Sequence, residues 1–564
     1  MKANAPVEIH SLINMLEAEN RAEYSRYLFE TQSPLSSICE SADALGPLLL
    51  KEQLGFARWK LSGDVYYSRF RPGDRVEIRT QKKGTDLSVK LSNEWRVEGV
   101  AYPAPGKIEV VISAEKPLDI NGIKEVFLFK SSSSLFNNIL KKKIRNISGP
   151  TLLGNGRYNL SIQDSNYKVL YEKLNDTQKS AIQYLISNNL SGAIQGPPGT
   201  GKTQLLRAVI ALALSSNMKV CVTSFTNAAV DNLLGRVVDK TFEFDWVRVG
   251  DPDKVKKELY HKHIANLDFV ASKFSDEINE ANLLGSTLHK IAFNSPPKVD
   301  LLVIDEAGQV PIYFWPFIQT LAKRVILVGD QFQLPPVLSA EHAELPYDNV
   351  FSLLISNETP MLETQYRMRR EIQAWSSEKF YRGKLSPDIS VADRDFFMHN
   401  QAFYADKFVV PKRFSSKAPR NHSWDEANFI ADKLEQLLKS KSHLGDVGVI
   451  CPYRAQAGIV NATLQSRFGV DEASKVLVDT VERFQGQEKE AIFLSFGTSV
   501  ADQNQLDFLS DPKRLNVSIT RAKSRFYCLF DNKLWENSRN RRSEDLNEFL
   551  RWMVDGKTSI RRAA

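Results

Sequence analysis

Hydrophobic and polar positions follow three different patterns along this chain. Over residues 7–60, apolar positions such as Leu12, Ile13 and Leu16 recur at helical spacing, which predicts amphipathic helices. After Gly63, β-branched and polar residues alternate up to about residue 130 between Gly, Pro and Asp turns. That alternation is typical of a small antiparallel barrel or sheet. The pattern predicts an N-terminal helical region over 1–60 and a small β-barrel with a helical stalk over 61–150.

From about residue 151 onward, short apolar runs alternate with polar or helical stretches. The runs "SGAIQ", "KVCVTSF", "VDLLVIDEA" and "RVILVGD" come first, and "DVGVICPY", "KVLVDTV" and "AIFLSFG" follow later. Apolar runs of this kind are typical of parallel strands that helices cover on both faces. We therefore expect an α/β fold with two doubly wound parallel-sheet units in tandem, over 151–345 and 346–564.

Composition adds limits to this picture but no specific chemistry. A hydrophobic share of 42% and a charged share of 25% are typical of a globular protein. The four cysteines show no disulfide or zinc spacing, and the net charge of +7 permits a polyanionic partner without requiring one. Charged residues interrupt the start of the chain, and no apolar run approaches the length of a membrane span. We expect a cytoplasmic or nuclear protein that is neither secreted nor membrane-bound.

A glycine-rich loop, "GPPGTGKT" at 196–203, lies between a predicted strand and a predicted helix. Its glycines let backbone N–H groups surround phosphates at a helix N-terminus, which already favours anions. Lys202 is placed to reach the β- and γ-phosphates, and Thr203 to bind magnesium. The predicted phosphate-binding residues are Gly196, Gly199, Thr200, Gly201, Lys202 and Thr203.

Two carboxylate residues follow the apolar strand in "LLVIDEAGQ", and a glutamine lies upstream of the glycine-rich loop. Asp305 is expected to hold Mg²⁺ through water, and Glu306 to polarise the attacking water. Ordinary loop carboxylates are the alternative, which the upstream phosphate loop disfavours. Gln178, in "LNDTQKSAI", can both donate to and accept from an adenine edge, although alone it would be interpreted as a helix-surface residue. The sequence thus predicts binding and hydrolysis of ATP with Mg²⁺.

Further motifs make the chain resemble superfamily 1 helicases. They are "GDQFQLPPV" at 329–337, "ETQYRM" at 363–368, "VDTVERFQGQEKEAIFLSF" at 478–496 and "RLNVSITRAK" at 514–523. The chain is most similar to the Upf-like branch of superfamily 1B, which includes the nonsense-mediated-decay, Sen-type and immunoglobulin-mu-binding helicases. The resemblance covers roughly residues 60–530 and implies two tandem RecA-like domains.

The resemblance also implies catalytic roles for polar residues outside the phosphate loop. Gln333 would sense the γ-phosphate, and Asp330 would link the nucleotide site to the nucleic-acid groove. Arg367 and Arg521, both assigned to the second RecA-like domain, would complete the charge clamp on the transferred phosphoryl group. Taken alone, each arginine would more often form a surface ion pair.

Contacts with the nucleoside are implied in the same way. Tyr366 would pack against the adenine face, and Glu488 would bind the ribose hydroxyls near Gly486.

Two segments resemble the family's nucleic-acid contacts, namely "TSFTNAAVDNLL" and the pair "CPYRAQ" with "DTVERFQG". Contacts to phosphate and sugar provide affinity without sequence preference. Each residue could equally cap a helix or supply a loop hydroxyl. The candidates are Ser224, Thr226, Asn227, Pro452, Tyr453, Arg454 and Thr480.

The resulting expectation is an ATP-dependent helicase or translocase on single-stranded DNA or RNA, monomeric and with 5′-to-3′ polarity. Two alternatives stay open at this point: an ATP-switched clamp that binds nucleic acid without unwinding it, and a P-loop remodelling ATPase that needs no nucleic acid. The sequence does not distinguish DNA from RNA, nor does it indicate a pathway or protein partners.

Overall fold

The structure is a computed structural model. It describes residues 8–40, 44–65, 68, 70, 72–104, 106–118, 122–130, 134–147, 159–238, 244–250, 254–264, 275–294, 298–340, 348–394, 409–414, 421–439, 444–498, 502–540 and 543–555. The chain divides into two compact units. The first comprises Met1–Ala22, Ser134–Arg367 and Lys384–Ile389, and the second comprises Glu23–Ser133, Met368–Gly383 and Ser390–Ala564.

Six antiparallel strands form a closed barrel in the order β1-β2-β5-β4-β3-β6. Every second residue of "KIEVVIS" in β5 points inward, so the predicted alternation reflects a strand with one face in the core. The expected small barrel is confirmed, but it begins at Ala44, so the prediction of helices up to residue 60 is wrong over residues 44–60. Its strands are β1 (Ala44–Gly55), β2 (Arg58–Gly63), β3 (Arg75–Gln81), β4 (Ser88–Ala104), β5 (Lys107–Ser113) and β6 (Glu125–Lys130).

A seven-stranded parallel sheet in the order β10-β9-β11-β8-β12-β13-β7 forms the centre of the first unit. Leu302 and Val303 belong to two different hydrophobic clusters, so helices cover both faces of the sheet as the apolar runs predict. The strands are β7 (Gly192–Gln195), β8 (Val220–Ser224), β9 (Trp246–Val249), β10 (His263–Ile264), β11 (Leu283–Thr287), β12 (Val299–Ile304) and β13 (Ala322–Gly329).

A five-stranded parallel sheet in the order β16-β20-β19-β17-β18 forms the centre of the second unit. The predicted pair of doubly wound sheets is thus confirmed. Two further short strands, β14 (Thr364–Gln365) and β15 (Ser386–Pro387), pair in parallel within the first unit. The strands of the larger sheet are β16 (Val409–Phe414), β17 (Val447–Cys451), β18 (Leu477–Thr480), β19 (Lys489–Ser495) and β20 (Ala522–Asp531).

Helices occupy the connections between these strands. Among the described residues, none is both long and apolar enough to cross a membrane. The helices are α1 (Ile9–Gln32), α2 (Leu35–Glu40), α3 (Ser134–Arg145), α4 (Ser165–Glu172), α5 (Asp176–Ser187), α6 (Lys202–Ser215), α7 (Asn227–Val237), α8 (Ser275–Glu280), α9 (Leu288–Asn294), α10 (Trp315–Leu321), α11 (Phe351–Leu354), α12 (Arg370–Phe380), α13 (Ile389–Ala392), α14 (Trp424–Lys439), α15 (Arg454–Ala473), α16 (Val481–Phe484), α17 (Gln503–Leu509), α18 (Pro512–Ile519), α19 (Asn532–Asn540) and α20 (Glu544–Asp555).

The barrel is grouped with the second unit, because its strand β4 packs against helix α15. The backbone N–H of Tyr102 donates to Oε1 of Gln465 at 2.7 Å, and Ala462 lies among the buried residues of the barrel. The resemblance gave no indication of this contact. The predicted domain boundaries at residues 60, 150 and 345 stay predictions.

Candidate nucleotide site and nucleic-acid contacts

The glycine-rich loop joins the buried strand β7 to helix α6, which begins at Lys202. Gly199 and Gly201 have φ angles of 79° and 76°, a left-handed conformation that glycine adopts without strain. A Cβ atom on Gly199 would lie only 2.7 Å from Cβ of Arg367. Glycine at this position therefore permits both the turn and a close approach of the neighbouring segment. The loop leads directly into the N-terminus of a 14-residue helix, where anions are favoured.

The Lys202 side chain lies over the loop. Its Nζ donates to the carbonyl oxygen of Gly196 at 3.0 Å and lies 3.8 Å from Oε1 of Glu306. A Cβ atom on Gly196 would be 2.4 Å from the Lys202 side chain, so the lysine needs the space that this glycine leaves. The structure thus brings the predicted phosphate-binding lysine and the predicted catalytic carboxylate to the same place.

Asp305 and Glu306 follow β12 and form a strained acidic pair. Glu306 has a φ of 53°, a left-handed conformation that is costly for a residue other than glycine and is common at functional sites. Its backbone N–H donates to Oδ1 of Asp305 at 2.9 Å. Burial and then the Glu306 charge raise the pKa of Asp305 to about 7, and the Lys202 ammonium opposes this rise. A buried carboxylate beside a second one fits a divalent cation, because a bound cation favours the charged forms of both.

Gln178 connects helix α5 to the glycine-rich loop. Its Oε1 accepts from the backbone N–H of Asn175, and its Nε2 donates to the carbonyl oxygen of Thr200 at 3.0 Å. Both ends of the amide are therefore bound within the chain. The adenine contact predicted for Gln178 stays a prediction, and it requires the amide to exchange one of these partners.

The segment 365–367 lies against the same loop. The backbone N–H of Tyr366 donates to the carbonyl oxygen of Gly199 at 2.8 Å, and its hydroxyl accepts from Nδ2 of Asn175 at 2.8 Å. The backbone N–H of Arg367 donates to Oε1 of Gln365 at 2.8 Å. The resemblance assigned Tyr366 and Arg367 to the second domain, whereas the structure groups them with the first unit. Their implied roles in adenine packing and phosphoryl transfer stay predictions.

Asp330, at the end of β13, orients Gln333. Oδ2 of the buried Asp330 accepts from Nε2 of Gln333 at 3.2 Å, while its Oδ1 accepts from Nε2 of Gln195 at 3.4 Å. Gln195 is the last residue of β7, directly before the glycine-rich loop. Asp330 therefore links the candidate γ-phosphate sensor to the strand that carries the loop.

The second unit holds the remaining nucleotide-site candidates close to one another. Nε of the buried Arg521 donates to the carbonyl oxygen of Val517 at 3.1 Å, and its Nη1 donates to that of Gln487 at 3.4 Å. Gly486 has a φ of 80°, and Oε1 of Glu488 lies 3.2 Å from Nζ of Lys523. The arginine therefore lies beside the turn that carries Gly486 and Glu488, and the roles of all three stay predictions.

Candidate nucleic-acid contacts in the first unit follow strand β8. Ser224 is buried at the end of that strand, and Oγ1 of Thr226 caps helix α7 by accepting from the backbone N–H of Ala229 at 3.3 Å. Oδ1 of Asn227 accepts from Nη2 of Arg248 at 2.9 Å. The helix-cap alternative therefore describes Thr226 in this structure, whereas Asn227 is oriented by an arginine that the sequence analysis did not consider.

Tyr453 and its neighbours form the corresponding region of the second unit. The Tyr453 ring stacks on Phe508 with centroids 5.4 Å apart, and the Arg514 guanidinium lies 4.2 Å from the Phe508 centroid. Arg454 is exposed at the start of α15, directly after Pro452 and Tyr453.

Thr480 is buried at the cap position of α16, and its backbone N–H donates to Oδ1 of Asp479 at 2.5 Å. Arg454 is the exposed cation among the second-unit candidates.

Comparisons with known proteins agree with these motifs. Two family models, each described as an AAA domain, match the chain. One matches residues 173–273 and 265–341, and the other matches residues 347–533. Together they cover more than half of the chain. The chain is similar to the "DNA replication ATP-dependent helicase/nuclease DNA2" of Xenopus laevis, with 29% identity over 83% of this chain and 48% of the relative. It is also similar to the "DNA polymerase alpha-associated DNA helicase A" of Schizosaccharomyces pombe, with 26% identity over 82% of this chain and 81% of the relative.

The chain thus spans about half the length of the Xenopus relative. A solved helicase structure, arterivirus nonstructural protein 10, aligns with 87% of this chain and 78% of its own at 12% identity, with a TM-score of 0.38. The two parallel sheets and the barrel described above define the fold. The ordered motifs and the two matched regions together show that the chain belongs to the Upf-like branch of the superfamily 1 helicases.

Proposed function

We propose that this chain hydrolyses ATP and uses the hydrolysis to move along single-stranded nucleic acid in the 5′-to-3′ direction. The observation that supports it best is the Lys202–Glu306 pair, whose Nζ and Oε1 are 3.8 Å apart. Lys202 follows the loop after β7 and Glu306 follows β12, and both strands belong to one parallel sheet. Ligands of doubly wound sheets bind at the carboxyl ends of the strands. Strand β8 of the same sheet leads directly to the candidate nucleic-acid residues Thr226 and Asn227.

The chemistry follows from the side chains that the structure brings together. Lys202 and the loop N–H groups bind the β- and γ-phosphates, and Glu306 accepts a proton from a water molecule. The oxygen of that water forms a bond to the γ-phosphorus, and the bond from phosphorus to the bridging oxygen breaks, so ADP leaves with the electron pair. Thr203 and Asp305 would hold Mg²⁺, which neutralises phosphate charge when it is bound with the nucleotide.

A backbone contact supports coupling between hydrolysis and strand binding. The N–H of Asp305 donates to the carbonyl oxygen of Thr223 at 3.0 Å, one residue before Ser224. Displacement of the acidic pair during a hydrolysis cycle would therefore act directly on the end of β8. We propose single-stranded DNA as the strand, because both relatives described above are named as DNA helicases or DNA replication enzymes.

The first test is ATP hydrolysis at fixed salt with no nucleic acid, with oligo-deoxythymidine and with oligouridine. Salt is held constant because phosphate contacts make affinity salt-dependent. We expect stimulation by single strands in the wild type and loss of turnover in Lys202→Ala and Glu306→Gln. Lys323→Ala is the matched control, since that lysine is exposed and pairs with Asp300 on the opposite, amino-terminal side of the sheet. Turnover without any stimulation would refute a nucleic-acid-dependent enzyme.

Strand displacement then separates movement from simple clamping. Duplexes with a 5′ or a 3′ single-stranded tail are incubated with protein and ATP, and we expect displacement of the 5′-tailed substrate only. Stimulated hydrolysis without displacement of either duplex would favour the ATP-switched clamp. A sedimentation measurement at the assay concentration tests the proposed monomer.

A further inference from the structure

An arginine inside an apolar strand forms a buried ion pair in the first unit. Arg248, in the strand β9 sequence "WVRV", has no exposed surface, and Asp231 on helix α7 is 2% exposed. Nε of Arg248 donates to Oδ1 of Asp231 at 2.6 Å. Removing either partner would leave an uncompensated buried charge, so the pair fixes helix α7 against strand β9.

The same guanidinium determines the orientation of the Asn227 amide. Nη2 of Arg248 donates to Oδ1 of Asn227 at 2.9 Å. A guanidinium carries only donors, so the amide must present its oxygen to Arg248 and direct its NH₂ group away. Asn227 is half-buried, and within the part of the chain that the structure describes its Nδ2 donates to no acceptor.

Two further contacts keep the arginine in place. Oδ2 of Asp231 accepts from the backbone N–H of Lys256 at 3.0 Å, so both carboxylate oxygens are bound. A Cβ atom on Gly250 would lie 2.8 Å from Nη1 of Arg248, so the chain after β9 passes close to the guanidinium. Because Asp231 holds Arg248 in place and the guanidinium offers only donors, the Asn227 amide presents its oxygen to Arg248.

We propose that Arg248 is a positioning residue for nucleic-acid binding, which orients the Asn227 amide so that Nδ2 donates to a phosphate of the bound strand. This inference rests on the proposed function, because it needs a bound strand. An amide turned the other way would present its oxygen to the anionic phosphate. A hydrogen bond to a charged group changes affinity by about tenfold to a hundredfold.

The first test compares two identical substitutions on one helix. Asn227→Asp keeps an oxygen that accepts from Arg248 but removes the Nδ2 donor, and an acidic residue in the first turn of a helix favours folding. Asn232→Asp adds the same charge to α7 at an exposed position where Asn232 contacts Lys256, and it serves as the matched control. Fluorescence anisotropy with a labelled oligo-deoxythymidine should show at least about tenfold weaker binding for Asn227→Asp and less than about threefold for the control. Wild-type affinity in Asn227→Asp would overturn the inference.

A double-mutant cycle then tests whether Arg248 acts through Asn227. Arg248→Lys keeps the charge but loses the planar fork that reaches Asp231 and Asn227 together. We expect Arg248→Lys to weaken binding in the wild-type background and to have no further effect in Asn227→Ala, because coupled residues are not additive. If the losses of strand affinity from the two substitutions multiply in the double mutant, the inference is overturned. Melting temperatures identify any variant that fails to fold.

The two hypotheses fail in different ways. If the wild type shows neither strand binding nor stimulated hydrolysis, the proposed function is wrong and the inference falls with it. If the wild type binds and the losses multiply, only the role of Arg248 is wrong. If Arg248→Lys does not fold, the comparison of Asn227→Asp with Asn232→Asp still tests the inference, because wild-type affinity in Asn227→Asp would overturn it.

Discussion

Glu426 is a buried carboxyl group in helix α14 that connects three elements of the second unit. Its Oε2 accepts from Oγ of Ser495 at 2.6 Å and from the backbone N–H of Gly497 at 3.1 Å. Nε2 of Gln456 donates to the same Ser495 hydroxyl at 2.9 Å, which extends the network to the first turn of α15. Arg454 begins that turn, so the network supports a candidate nucleic-acid contact.

The sign of the pH dependence follows from the direction of the pKa shift. Burial raises the pKa of Glu426 from 4.5 to about 8, although the bonds from Ser495 and Gly497 oppose the rise. A carboxyl group whose pKa is raised by folding contributes stability that is fully present below pH 4.5 and is lost as the pH rises towards 8. The slope is at most ~1.4 kcal/mol per pH unit and decreases near pH 8, so the unfolding free energy falls by about 2–3 kcal/mol between pH 5.5 and 7.5.

Glu426→Gln removes this dependence, because the glutamine oxygen can accept both bonds and its NH₂ group replaces the carboxyl proton. Thermal unfolding of both proteins should show that the melting temperature of the variant rises relative to the wild type by roughly 4–12 °C between pH 5.5 and 7.5, at about 2–4 °C per kcal/mol. Asp425→Asn removes an exposed carboxylate one residue earlier in the same helix and is the control. Wild-type and Glu426→Gln melting curves that shift in parallel with pH would show that Glu426 is not protonated in the folded protein.

Three further substitutions test the nucleotide site. Gly199→Ala should lower the melting temperature and weaken binding of a fluorescent ATP analogue. The new Cβ would lie 2.7 Å from Cβ of Arg367, and a left-handed conformation costs a non-glycine residue about 1–3 kcal/mol. Unchanged binding of the analogue would contradict the fit of this loop. Arg367→Ala should retain binding of the analogue and lose at least about tenfold in hydrolysis, which a turnover measurement at saturating ATP checks. Gln178→Ala breaks the bond to the Thr200 carbonyl and should weaken binding of ATP about tenfold, whereas Gln183→Ala, an exposed position later in the same helix, should leave it unchanged.

Strands buried on both faces were predictable from sequence, and less regular strands were not. The apolar run of β12 places Leu302 in one hydrophobic cluster and Val303 in the other, so nearly every position must be apolar. Strand β16 instead reads "VVPKRF", and among the strands that the structure describes it pairs with β20 alone. Proline and charged residues are typical of edge strands, where one side forms no ladder. Its sequence therefore lacks the signal that identified the central strands.

The phosphate loop was predictable because its chemistry is local: one glycine-rich turn, one lysine and one helix N-terminus. The partners of Gln178 and Asp330 were not, because hydrogen bonds between distant segments leave no trace in local periodicity. One non-local feature did leave a signal. Arg248 interrupts the apolar run "WVRVG", and an arginine in a buried strand requires a counter-charge, which Asp231 provides.

The position of Tyr366 and Arg367 shows why motif order alone does not determine packing. Both residues follow the first sheet in sequence and belong to a motif that the resemblance assigned to the second domain. The segment is held by the Gly199 carbonyl, which accepts from Tyr366, and by the missing Cβ of Gly199, which leaves room for Arg367. One interaction uses a backbone oxygen of the loop and the other uses the space left by a missing side chain, so the residue pattern around Tyr366 and Arg367 does not reveal either. The tyrosine and arginine therefore contact the loop that carries Lys202 from within the same unit, and any role for them in hydrolysis starts from that contact.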